Sequence, residues 1–197
     1  MNEFTIEDNG LKIAFFRTAG ADRWQLAIGL QDDVDACETW RPLLTSVLDS
    51  SDIAWPAFPP LQELLPGTHN NRPSVQLVGM AGKHHWSLSV AWQMEPAQWL
   101  FDFACRCESP PGPGQAAFAF ASQSLLEVRP HAIVLQSADG QRSLTIITNG
   151  LPDVESAITC TPAGNPSSMH EIKITGTTPG KTTGRQTLRW YFGVRVA

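Results

Sequence analysis

No run of lysine or arginine occurs in this sequence, and charged residues of both signs fill only 17% of its 197 positions, against roughly a quarter in an average soluble domain. The missing basic run argues against a nucleic-acid groove or a polybasic membrane patch, since both work by massing cations against phosphate. No apolar stretch approaches the roughly 20 residues of a membrane-spanning helix. The start, Met1-Asn2-Glu3-Phe4-Thr5-Ile6-Glu7-Asp8, is acidic and alternating where an export signal is basic and then apolar. A cytoplasmic protein is the expectation, and the net charge of −5 is ordinary for one.

Catalytic and metal signatures are also missing. There is no Gly-x-Ser-x-Gly elbow, no paired-histidine helix motif and no dinucleotide fingerprint. The stretch Gly176-Thr177-Thr178-Pro179-Gly180-Lys181-Thr182 resembles a phosphate loop at first sight. Three residues rather than four separate its glycines, however, and a strand pattern follows where a helix is required. The four cysteines (Cys37, Cys105, Cys107, Cys160) include no Cys-x-x-Cys spacing. Cys105 and Cys107 sit two apart on one strand face, a geometry that disfavours a bridge, so buried free thiols are expected. His84 falls opposite Cys107, and His69 is the one further candidate ligand; that is too few for a metal site. Asp32, Asp33 and Asp35 lack the glycine and distal glutamate of a calcium loop and read as a solvated acidic turn. No metal and no cofactor is expected.

What is present is period-two alternation between self-declaring turns. Asn9-Gly10 is a favoured two-residue hairpin turn. Folding about it sets Glu7 against Lys12, Ile6 against Ile13 and Phe4 against Phe15, charges on one face and apolar residues on the other. Asp139-Gly140 likewise sets Leu135 against Leu144 and Ile133 against Ile146. A strand from Trp24 to Leu30 follows the first hairpin. Further strands are read over Ser74 to Gly79, Lys83 to Gln93, Gln98 to Glu108, Ala116 to Val128, Val154 to Cys160 and His170 to Thr175. In the closing strand Leu188, Trp190, Phe192, Val194 and Val196 share one face, with Arg189, Tyr191 and Arg195 on the other. Ten or more short strands imply an all-β antiparallel two-sheet sandwich with little helix, and the whole chain, 1–197, reads as one domain. Its exception is residues 31–73, a long connection with six prolines and short helical turns expected near Pro42 to Leu48 and Pro60 to Leu65. Such a connection is a binding loop or a plug over the core built on Trp40, Trp55 and Phe58.

The chemistry-bearing candidate is the hairpin of residues 83–108. Pairing Gln93 with Gln98 brings Trp92 to Trp99, Val90 to Phe101, Leu88 to Phe103 and Trp86 to Cys105 on one apolar face. The opposite face carries Ser89 with Asp102, Ser87 with Ala104, His85 with Arg106 and Lys83 with Glu108. Two readings attach to each face. The aromatic face is core, or part of a pocket where a sugar ring stacks. The polar face is solvated, or a site in which His85 and Asp102 act as acid and base while Arg106 holds an anion. Seven tryptophans against one tyrosine leave Trp40, Trp55, Trp86, Trp92 and Trp99 as the ligand-stacking candidates. Three functions follow: a module binding a small molecule, with a saccharide as the leading class; a sugar-isomerising or hydrolytic enzyme using His85, Asp102 and Arg106; or a structural module pairing with a partner or with itself as a homo-oligomer.

Overall fold

The structure, a computed structural model, describes residues 2–31, 40, 42–48, 52, 55–107, 112, 114–121, 124–148, 156–161, 169–176 and 185–197. The strands in the first half are β1 (Asn2–Asp8), β2 (Leu11–Arg17), β3 (Gln25–Leu30), β4 (Leu44–Ser46), β5 (Glu63–His69), β6 (Arg72–Ala81), β7 (His84–Gln93) and β8 (Gln98–Cys107). Those in the second half are β9 (Gly114–Ala121), β10 (Leu125–Arg129), β11 (Ala132–Gln136), β12 (Ser143–Ile147), β13 (Ser156–Thr161), β14 (Met169–Gly176) and β15 (Gln186–Val196). They form two antiparallel sheets packed as a sandwich. The first runs β1-β2-β3-β4-β9-β14-β13 and the second β10-β11-β12-β15-β8-β7-β6-β5. No helix among the described residues is long and apolar enough to cross a membrane.

The locally encoded hairpins pair as their side-chain patterns require. Glu7 lies opposite Lys12, with an ion pair of 3.3 Å, and Phe4 lies opposite Phe15. Asn9 and Gly10 both take positive φ, 49° and 76°, the backbone that this two-residue turn demands. Leu135 meets Leu144 and Ile133 meets Ile146. In the central hairpin Gln93 meets Gln98, and the pairing continues down to His85 and Arg106. Lys83 with Glu108 falls partly outside the described residues, as do Asp32, Asp33, Asp35, Cys37 and the loop beyond Gly176.

Three expectations need correction. The helical turn near Pro42 to Leu48 is instead the short strand β4, which bridges β3 to β9. Ser46 is buried there because its Oγ accepts the Leu26 amide at 3.0 Å, extending a ladder that the backbone alone leaves short. The turn near Pro60 to Leu65 gives way to the edge strand β5, which pairs with β6 along its whole length. The single strand read over Ala116 to Val128 is two, β9 in one sheet and β10 in the other, so the chain changes layers between them.

The core lies between the sheets. Phe103 stacks on Trp190 (5.4 Å between centroids, 7° between planes) and Phe101 on Phe192 (4.6 Å, 5°). From the long connection, Phe58 is inserted edge-on against Phe103 and Phe118, which is where that segment closes the sandwich. Cys105 is fully buried, and burial beside Cys107 pushes its thiol up to about 12. An unfolded thiol releases its proton near 8.5 (about the model-peptide value). Above that pH the folded chain therefore holds the extra proton. Stability is fully present below about pH 8.5 and falls toward pH 12 by up to about 1.4 kcal/mol per pH unit. Urea unfolding of the wild type and Cys105→Ala over that range checks this: the wild type should lose stability faster, and parallel curves would refute it.

Candidate functional site

The β7–β8 hairpin sits in the middle of the eight-stranded sheet, with β6 on one side and β15 on the other. Period two then decides everything about its faces. Trp86, Leu88, Val90, Trp99, Phe101 and Phe103 point inward and are buried. Their neighbours in sequence point outward. Among these, Ser87, Ser89, Ala91 and Ala104 are small and half-buried, so the outer face of the sheet is low along β7.

That low strip is a trough. A hollow of about 500 Å³ is lined by Glu63, Val78, Met80, His85, Ser87 and Arg106, with Ala104 in its floor. Beside it, a hollow of about 190 Å³ shares Val78, Ser87 and Ala104 and adds Ser89, Asp102 and Arg189. A third, of about 440 Å³, shares Gln76, Ser89 and Asp102 with the second and runs on to Leu65, Ala91 and Leu100. At the opposite end a hollow of about 290 Å³ shares His85 and Arg106 with the first. The shared residues make the four hollows one continuous depression. From His85 to Ala91 it follows six residue steps of β7, about 20 Å at strand rise. Its β5–β6 side exposes Leu65, Val78 and Met80, at 51%, 37% and 48%, between the polar Glu63 and Gln76. Its β8–β15 wall is polar.

Of the residues that the sequence singled out, the structure joins two and separates the third. His85 and Arg106 are cross-strand partners lining the same hollow. Asp102 lies four residues from Arg106 on β8, about 13 Å along the strand, and its carboxylate is taken by Arg189 in a two-pronged pair at 2.8 and 2.5 Å. That contact holds the Arg189 guanidinium above its ordinary value. An acid–base pair of His85 and Asp102 has no converging geometry. What the trough offers is small floor residues, hydrogen-bonding groups and the guanidinium groups of Arg106, Arg185 and Arg189.

The tryptophans are placed differently from the stacking idea. Trp86 and Trp99 are core, at 1% and 2% exposure. Trp40, Trp55 and Trp92 are half-buried, and each ring already has company. Lys12 stands over Trp40 at 5.1 Å, and the Trp40 indole donates to the Leu30 carbonyl at 3.1 Å. Arg72 stands over Trp92 at 4.4 Å. Trp55 packs on His84 at 4.8 Å, with Gly112 against its ring. None of Trp40, Trp55 and Trp92 lines the trough. His84 and Cys107 do not gather further ligands: among the described residues no three metal-binding side chains converge.

Sequence reasoning found the hairpin's share of the site and missed its neighbours. Val78 and Met80 on β6, Leu65 on β5 and Arg189 on β15 become trough residues only through strand order. The signal available was the polar face of the closing strand, Arg189-x-Tyr191, which needed to be set beside β8.

No family model and no curated protein matches this chain. Two solved structures of a heparinase III gene product, one of them with methylated lysines, align with 94% of the chain at 8% sequence identity and a TM-score of 0.44. The chain spans about a third of the length of that protein, 35% in one structure and 34% in the other.

Proposed function

We propose that this chain is a ligand-binding module that holds a saccharide along the outer-face trough of β6, β7 and β8. The observation that carries the reading is the trough itself: an elongated depression in which the exposed Leu65, Val78 and Met80 lie beside hydroxyl, carboxylate and guanidinium groups. A sugar ring has the matching character, with C–H groups on its faces and hydroxyls around its rim. The small floor lets a flat ring approach the sheet, and the polar wall provides donors and acceptors whose arrangement selects the ligand.

Backbone-amide NMR with a panel of neutral and acidic saccharides tests this. Shifts confined to the trough-lining strands β5, β6, β7, β8 and β15 are expected. Ala104 lies in the floor shared by two hollows, so Ala104→Trp should fill the trough and weaken binding by about tenfold or more. Shifts that map elsewhere, or binding indifferent to Ala104→Trp, would remove the support for this site.

A further inference from the structure

We infer that the trough is built for an acidic ligand, whose oxyanion is held at its His85–Arg106 end. The inference rests on the trough being the ligand site and assigns the chemical class of what lies there. The end hollow of about 290 Å³ is lined by Lys83, His85, Arg106 and Arg185 together with Cys107, and Cys107 is buried. Among the described residues, every exposed side chain in that lining is therefore basic or a histidine, in a chain whose net charge is −5. A guanidinium left without an ion pair in such a hollow attracts an anion within a protein of net negative charge.

The outer-face cations are not alike. Arg189 is neutralised by Asp102 and Arg72 by Asp8 at 2.6 Å. Arg106 forms no ion pair among the described residues. It stands on β8 between His85 of β7 and Thr187 of β15, two further hydrogen-bonding side chains on the same face. Glu63, the acid lining the adjoining hollow, is on β5, three strands away and about 14 Å across the sheet. A guanidinium in this position offers a planar fork that matches carboxylate, sulfate or phosphate oxygens two at a time.

The test uses three glycosides that differ only at C6: methyl glucoside, methyl glucuronide and methyl glucoside 6-sulfate. Each is titrated into the full chain at fixed ionic strength and followed by backbone-amide NMR. The comparison variants are Arg106→Gln and, as a charge-matched control remote from the trough, Arg129→Gln. Both side chains are exposed, and unchanged spectra outside the site verify folding. The anionic glycosides should shift the amides of His85, Arg106 and Thr187 and bind about tenfold more tightly than the neutral one. Arg106→Gln should erase that preference, Arg129→Gln should keep it, and added salt should reduce it. The glucuronide and the sulfate distinguish a carboxylate from a sulfate as the preferred group. Equal binding of all three with shifts along β7 and β8, unaffected by Arg106→Gln, overturns the oxyanion assignment and leaves the saccharide trough standing. Absence of shifts along β7 and β8 with every glycoside overturns both.

Discussion

Replacing Trp190 by alanine should lower the free energy of unfolding by about 3–5 kcal/mol, the range for removing a fully buried large aromatic. The position explains the size. Trp190 has no exposed surface. It stacks on Phe103 and meets Trp86 edge-on at 6.0 Å, so it ties the last strand to the central hairpin. Two glycines make room for it: a Cβ added at Gly114 or Gly176 would come within 2.8 or 2.7 Å of its side chain. Those glycines belong to the opposite sheet, so the indole also sets how closely the two layers approach. Alanine would leave a cavity lined from both layers that neither can close without moving the other. Trp190→Phe should be much milder, below about 2 kcal/mol. Among the described residues the buried indole N–H has no hydrogen-bond partner, so phenylalanine forfeits packing and no polar contact. Equilibrium urea unfolding of both variants checks the pair; near-equal losses would mean that the indole fills the space between the sheets less completely than described.

What could be read from the sequence was whatever is encoded within one hairpin. Asn9-Gly10 and Asp139-Gly140 fixed their own registers because period-two alternation tolerates no one-residue slip. The same logic gave the central hairpin both its aromatic and its polar face. Strand order between hairpins is decided by core packing, and no local pattern announces it. β4 is too short to show alternation. In β5, Pro66-Gly67 interrupts the pattern, and the strand survives because an edge position pairs on one side only, where a missing N–H is tolerated. The alternation of Ala116 to Val128 conceals a change of sheet, since both layers bury one face in the same core. The site divides along the same line. His85, Asp102 and Arg106 were visible as a polar row, while the Met80 wall and the Asp102–Arg189 pair depended on which strands flank the hairpin. Knowing the neighbours set Asp102 against Arg189 and left His85 beside Arg106.

The second large effect is expected at Gly79, where the sequence shows only a glycine in a strand. Gly79 shares the inner face of β6 with Leu77 and Ala81, and an added Cβ would lie 1.8 Å from the Pro60 carbonyl oxygen and 3.0 Å from the Gln62 nitrogen. Both are backbone atoms, so no rotamer change relieves the contact. Nor can the segment retreat easily. The Gln62 amide donates to the Val78 carbonyl at 2.8 Å, the Leu61 carbonyl accepts the Trp24 amide at 2.7 Å, and Leu61 and Phe58 are both core. The Gln62 side chain additionally accepts the Met80 amide at 3.1 Å. Gly79→Ala should therefore cost about 3 kcal/mol or more, at or above the usual upper end for overpacking, and should free the Trp24 amide to exchange with solvent. Gly67→Ala is the matched control on β5, where the nearest atom is the Ser74 hydroxyl at 3.3 Å, and it should stay within about 1 kcal/mol of wild type. The two substitutions are chemically identical, so the difference between them measures how tightly residues 60–62 close over β6. Unchanged stability together with a still-protected Trp24 amide would show that this segment does not cross β6 as closely as the structure has it.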